Sequence, residues 1–435
     1  MRRPAADALA ALALSPLAAC DFYPEGVPGI AADDSAGAAA DCSADIFVPT
    51  GSLQGQPVPA TPHADTYGAA PAPYHVHLGW PSSDLSRSTA MLWRTDTGTL
   101  ASVVEWGPAD TWPAGATRTE GASFLYGGGT IGEGPFRIHE VRLCGLLSPG
   151  TAYTYRVGGD GGWSDPITFT APRAPGDTAP LRVVLAGDSR GAYDTWRTLL
   201  QAADAVEPYL ILFSGDMVEL GANQLEWDAW FEASGDILAR RPFIAAHGNH
   251  EFLAQAYFAQ FAFPGNEEWF DVQTAGLHVL SLNDTVRDAA DIDTTQARFI
   301  DDTLGARTAP WAFAMHHQPA YSTCTRHGSD IVVRDAWAPL FDKHGVDVVL
   351  AGHNHIYERS VPIAAGQEDP TGRGTVYIVS GGAGAPLYRE SETDWFNAKA
   401  EAIEHWITAD IGADTAEVVV RDLAGNVIDS FSVLR

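Results

Sequence analysis

Basic residues are scarce in this 435-residue chain: 26 Lys and Arg stand against 55 Asp and Glu, a formal net charge of -29. A surface of that sign repels phosphate backbones and anionic headgroups, so nucleic-acid binding and electrostatic adhesion to membranes are poor candidates for its function. An anionic small substrate stays admissible where bound cations reverse the sign locally. Long apolar runs are missing too. The stretch from Ala8 to Ala19 falls short of the roughly 20 residues a helix needs to cross a bilayer, and no later segment reaches that length. Cysteine is limited to Cys20, Cys42, Cys144 and Cys324, too dispersed for a thiolate zinc site. What is abundant is core material. With 46% hydrophobic residues, 13 tryptophans and only 19% charged residues, the chain is globular. At about 100 to 200 residues per domain it has room for two or three.

The opening "MRRPAADALAALALSPLAAC" has a basic start, an apolar stretch and small residues before Cys20. That is the pattern of an export signal over residues 1–20. "LAAC" resembles the bacterial lipobox, which implies lipidation of Cys20, a cell-envelope location on the periplasmic or outer surface, and membrane contact only through that anchor. With Cys20 lipidated, Cys42, Cys144 and Cys324 allow one disulfide at most, and the sequence leaves its pairing open. Residues 21–73 are dominated by Ala, Gly, Pro and Asp. That composition buries too little apolar surface to offset chain entropy, so a flexible tether is expected.

From residue 74 to 173 short alternating runs recur between turn signals: "STAMLWRT", "ASVVEWG", "IHEVRLCGL", "TAYTYRVG" and "DPITFTAP". They predict a β-sandwich. "LCGLLSPGTAYTYRVGG" resembles the end of a fibronectin type III module, and "RAPGDTAP" marks a boundary. From residue 180 to 435 apolar runs alternate with amphipathic stretches. "LRVVLAGD", "YLILFSGD", "PFIAAHGNHE", "PWAFAMHHQP" and "VDVVLAGHNH" read as strands buried on both faces, with helices such as "NQLEWDAWFEASGDILAR" and "RDAWAPLFDKHG" between them. A β-rich end, "GTVYIVSGGAG" and "TAEVVVRDLAGNVIDSFSVL", completes the sheets.

Each of the five strands runs into Asp, Asn or His at its C-terminal end, where ligand sites of such folds gather. Alone, a "GD" is a turn and a lone histidine a packing residue. In order along five strands, however, Asp188, Asp216, Asn249, His317, His353 and His355 are all metal-ligand types. Carboxylate, amide oxygen and imidazole together suit Zn, Mn or Fe better than Ca.

The order GD, GD, GNHE, H-x-P, GHxH resembles the calcineurin-like metallophosphoesterases, and "GHNHIYER" is similar to their purple acid phosphatase branch. The resemblance spans residues 74–435. It implies a fibronectin III-like β-sandwich followed by an α/β metallophosphoesterase domain of two β-sheets flanked by helices. By the same resemblance Asp216 bridges two metals, Asp188 and His355 hold the first, and Asn249, His317 and His353 hold the second. His250 stays off the metals and stabilises phosphoryl charge or protonates the leaving group. In the family the ligand of the fourth motif stands two residues before a proline and four before a tyrosine, which selects His317 over His316. Arg326 and His327, in "QPAYSTCTRHGSD", fall where the family carries substrate-facing residues.

Two departures stand out. The branch places a tyrosine three residues after the bridging aspartate, where this chain has Glu219; other members carry D-x-H at the first motif, where this chain has Asp188, Ser189 and Arg190. A purple tyrosinate–Fe(III) centre is therefore not expected. The cofactors implied are two divalent or mixed-valence ions of Fe, Zn or Mn. The first site keeps three assured protein ligands, which leaves weak binding, a water ligand or recruitment of Glu219 open, while Arg190 is a candidate for gripping substrate phosphate. "GGAGA" from Gly381 is not a nucleotide loop, since no Lys-Ser/Thr follows. The expected activity is hydrolysis of a small phosphate monoester by a metal-held hydroxide, with no covalent intermediate. The alternatives are a phosphodiesterase or nucleotidase on the same core, and a cell-envelope binding module with a degenerate metal site.

Overall fold

The computed structural model describes residues 42, 46–48, 56–58, 65–126, 135–251, 253–285, 290–389 and 393–435. The export signal and Cys20 lie outside the described residues. Among the described residues no helix is long and apolar enough to cross a membrane.

Two antiparallel sheets of four strands form the front of the molecule. One is ordered Tyr74–Gly79, Thr89–Thr95, Phe136–Leu143, Ala122–Tyr126, the other Ile167–Thr170, Ala152–Gly158, Val103–Pro108, Thr117–Glu120. Strand Thr89–Thr95 is buried along its whole length, and its period of two shows why. Met91 and Trp93 enter the main core, while Ala90 and Leu92 on the opposite face pack against Ala262 of the following domain. Backbone bonds tie the two parts together: Leu78 N–H donates to Leu238 O at 2.9 Å and Trp80 N–H to Ala262 O at 2.7 Å. The Tyr155 hydroxyl adds a bond to Ala239 O at 2.7 Å.

The tether expected over residues 21–73 is not a tether throughout. Cys42 is disulfide-bonded to Cys144, and Ile46–Val48 pairs antiparallel with Gln56–Val58. Nearer the sandwich, Gly68 N–H donates to Thr99 Oγ1 and Ala70 N–H to Asp96 Oδ2, each at 2.9 Å. A covalent link and backbone-to-side-chain bonds substitute here for the apolar burial that the composition lacks. Among the described residues Cys324 is free and buried.

The second part stacks two mixed sheets. The six-stranded one runs Phe243–Ala245, Leu210–Phe213, Leu181–Ala186, His405–Ile411, Thr415–Asp422, Val427–Leu434, with its first three strands parallel. The seven-stranded one runs Phe270–Thr274, Leu277–Ser281, Trp311–Met315, Val348–Ala351, Val376–Ser380, Tyr357–Ser360, Asn397–Glu401, with parallel pairing from Leu277–Ser281 through Val376–Ser380. Strand Trp311–Met315 shows the layering. Phe313 and Met315 join the core shared with the first sheet, and Ala312 and Ala314 join a core with Phe299, Ile300, Trp337 and Phe341 of helices Ala297–Gly305 and Ile331–His344. Helices Tyr193–Asp204 and Gln224–Ser234 cover the first sheet through Trp196 and Trp230. Both faces of each central strand are thus buried, which accounts for the unbroken apolar runs. The helix read in "NQLEWDAWFEASGDILAR" stops at Ser234, since Gly235 takes φ 57° and ends it.

Candidate metal centre

The tight turns that follow five strands deliver the donors. Asp188, Asp216 and His353 all sit in the left-handed region, at φ 61°, 58° and 66°, a conformation that costs non-glycine residues energy and clusters at functional sites. The turns interlock. Asp188 N–H donates to Gly215 O at 3.0 Å, Arg190 N–H to Asp216 O at 3.2 Å and Gly352 N–H to His317 O at 2.9 Å. His353 N–H lies 3.0 Å from both oxygens of Asp188, and His250 N–H donates to Asp216 Oδ1 at 3.0 Å. Such close approach requires glycine: a Cβ on Gly352 would lie 2.2 Å from Asp188 Oδ2.

Two groups of donors share Asp216. Asp188, Asp216 and His355 are buried and present one ligand atom each within 4.8 Å of one another. On the other side, Asn249 Oδ1 lies 2.9 Å from His317 Nε2 and 2.9 Å from His353 Nδ1. His317 Nε2 is also 3.3 Å from Asp216 Oδ1. His317 Nδ1 faces the Ser214 carbonyl at 2.8 Å, and a carbonyl only accepts. Nδ1 therefore carries the hydrogen and the neutral ring turns a lone pair toward Asn249 and Asp216, themselves acceptors. A proton or a cation has to sit among them. Burial lowers the His317 pKa, but Asp216 outweighs it and raises the group to about 10. Burial pushes Asp216 up, yet His317, His250 and Arg190 hold it well below the carboxylate range. A metal ion would replace that shared proton. The donor set therefore fits a metal; Asp216 belongs to both groups, with Oδ1 toward His317 and Oδ2 3.4 Å from Arg190 Nε.

His250 is buried beside this cluster. Its Nδ1 donates to Glu219 O at 2.6 Å and its Nε2 stands 3.9 Å from Asp216 Oδ2, outside both donor groups. Arg326 and His327 are brought to the same place: the His327 ring centre is 4.3 Å from that of His353, and the Arg326 guanidinium lies over the Tyr388 ring. Tyr388 in turn stacks on His355 at 4.1 Å. Arg190, beside Asp216, forms an ion pair with Glu219.

Four supporting residues carry no role in the sequence reading. Glu251 accepts from the N–H groups of Asp216, Met217 and Gly248 at 2.9, 2.8 and 2.7 Å, fixing the bridging residue from behind. It is the last letter of GNHE, so its signal was in the motif. Asp284 binds His316 Nδ1 at 2.9 Å and Gln318 N–H at 2.6 Å, which turns His316 away and leaves His317 facing the donors. Its signal is its place after strand Leu277–Ser281, like the other site acids. Glu358 ties down Ser322 and Thr323, and Tyr388 has no local signal at all.

Comparison with known proteins bears on the same residues. A family description, calcineurin-like phosphoesterase, matches residues 181–357, and a second, purple acid phosphatase N-terminal domain, matches residues 73–171. The chain is a metallophosphoesterase of the purple acid phosphatase-like branch. This metallophosphoesterase is 28% identical over 365 residues to purple acid phosphatase 21 of Arabidopsis thaliana, covering 77% of this chain and 79% of the relative. It is 29% identical to human acid phosphatase type 7, covering 72% of this chain and 78% of the relative. In fold it is similar to the purple acid phosphatase PPD1 from yellow lupin seeds, at a TM-score of 0.74 and 21% identity, over 84% of this chain and 74% of that one. The metallophosphoesterase is accordingly a hydrolase acting on phosphate esters, and its family implies a dimetal centre.

Proposed function

We propose that this metallophosphoesterase hydrolyses phosphate monoesters at a dinuclear centre and acts as an exported, lipid-anchored protein. One observation carries the catalytic reading: Asp216 stands with two sets of donors, His317 beside Asn249 and His353 on one side and Asp188 and His355 on the other. Cations held there would supply Lewis acidity to phosphate oxygens and acidify a water for in-line attack. The chain's own residues do the rest. His250, outside the donor groups with Nδ1 on the Glu219 carbonyl, can hold a proton at Nε2 for the leaving oxygen. Arg326 and His327, on the loop beside His353, are candidates for contacting the ester. The names of the relatives, purple acid phosphatase and acid phosphatase, support a monoester. The disulfide between Cys42 and Cys144 supports export, because such bonds persist in oxidising compartments.

The test uses the purified chain and its Asp216→Asn variant, assayed for bound metal and for hydrolysis of an aryl monophosphate and a bis-aryl phosphate. The wild type is expected to bind metal and to prefer the monoester. The variant should lose metal and more than about a hundredfold of activity, beyond the effect of removing an outer partner. A wild type without metal or hydrolysis sinks the reading, and preference for the diester replaces the monoester. Labelling with a radioactive fatty acid, lost in Cys20→Ser, tests the anchor.

A further inference from the structure

From the placement of Arg190, and resting on the metal-centre reading, we infer that this chain carries a built-in competitor for the first cation: the guanidinium holds the Asp188 side of the centre, so one metal binds tightly and the second weakly. Arg190 is buried, 6% exposed. Its Nε lies 3.4 Å from Asp216 Oδ2, its Nη2 3.3 Å from His355 Nε2, and its Nη1 pairs with Glu219. His355 decides what this means. Its Nδ1 faces the Pro386 carbonyl at 2.7 Å, an acceptor only, so Nδ1 bears the hydrogen and Nε2 the one available lone pair. A first metal would need that lone pair, and it already faces an arginine N–H.

The neighbouring donors are committed in the same way. The carboxylates of Asp216 and Glu219 face the same guanidinium, while Asp188 takes the His353 N–H. A guanidinium cannot give up its charge in a protein, and its planar fork matches several acceptors at once. An entering divalent ion therefore meets like charge in a buried pocket, where repulsion is weakly screened. The second group differs, since Asn249 Oδ1, His317 Nε2 and His353 Nδ1 face one another and not an arginine. The arginine's backbone is fixed as well. Its N–H donates to Asp216 O, and the preceding Ser189 is held between Met217 O and the Trp230 indole at 3.1 and 3.0 Å.

The experiment is a Zn(II) titration of the full chain, freed of metal, followed by calorimetry and by elemental analysis after equilibrium dialysis. Wild type should take one equivalent tightly and a second about tenfold or more weaker. Arg190→Met, uncharged and of similar length, should tighten the weaker site by about tenfold or more and leave the tighter one unchanged; Arg190→Lys, which keeps the charge, should leave it weak. Two equivalents of equal affinity in wild type, or an unchanged weaker site in Arg190→Met, overturns the inference. The wild-type stoichiometry decides the matter by itself should Arg190→Met fail to fold. Binding of no metal by wild type would instead bring down the proposed function beneath it, a different result from two equal sites.

Discussion

His250 is buried beside the donor groups with its Nδ1 bonded to Glu219 O and its Nε2 3.9 Å from Asp216 Oδ2, a placement that suits proton transfer more than metal binding. Replacing it with alanine is expected to lower kcat by about 10²- to 10⁴-fold, the range of a general acid, with metal content unchanged by elemental analysis. Loss of metal in parallel would make it a ligand instead. Gly248 tests the packing behind the site. A Cβ there would lie 2.3 Å from Asp216 N and 2.6 Å from Glu251 Oε2, so Gly248→Ala must push the bridging residue off its anchor. We expect about 1 to 3 kcal/mol of lost stability in denaturant titration, the usual cost of overpacking, together with weakened metal binding.

Helix Gln224–Ser234 shows how an element remote from the donors positions them. Asn223 caps it by accepting from Leu225 N–H at 3.2 Å, and Glu226 in the first turn accepts from Glu219 and Leu220 N–H at 2.6 and 3.1 Å. Asn223→Ala should cost about 0.5 to 2 kcal/mol, as cap removal does, and shift the Glu219 carbonyl that orients His250. Calorimetry and a KM-against-kcat comparison would check both. In the strand Phe136–Leu143, His139 is fully buried between the hydroxyls of Thr95 and Ser102 and stacks on Trp93. Burial, then Arg137, lowers its pKa from 6.5 to about 3. The unfolded chain binds this proton first, so the stability from a neutral His139 is complete above pH 6.5 and falls as pH drops toward 3. At pH 5 the loss is about 2 kcal/mol. Wild type and His139→Asn compared at pH 7.5 and 5 should show a shallower acid limb in the variant, and equal slopes would refute this.

Across the molecule the sandwich and the catalytic sheets share one apolar core, with Trp93, Val104 and Tyr155 in the same cluster as Val183, Trp230 and Phe313. Ala90 and Leu92 are covered by Ala262. A chain beginning at residue 174 would expose that contact and lose the backbone bonds of Leu238 and Ala262. Calorimetry of the full chain should therefore give a single unfolding transition, and the truncated chain should be insoluble or melt far lower. Two well-separated transitions would mean that the parts are independent.

The convergence of Asp188, Asp216, Asn249, His317, His353 and His355 at strand ends was legible in the sequence, because each sits in a short motif directly after an apolar strand. The layered α/β architecture was legible for the same reason, through uninterrupted burial. The hairpin strands Phe270–Thr274 and Leu277–Ser281 and the helix Tyr193–Asp204 were not singled out, and the bonded parts of the 21–73 segment were misjudged from composition. Only the tertiary structure decided that Asp284 claims His316 and that Arg190 turns inward onto Asp216, Glu219 and His355. The physical reason is that motif and periodicity are local along the chain, whereas the charge meeting each of these groups comes from a different strand end.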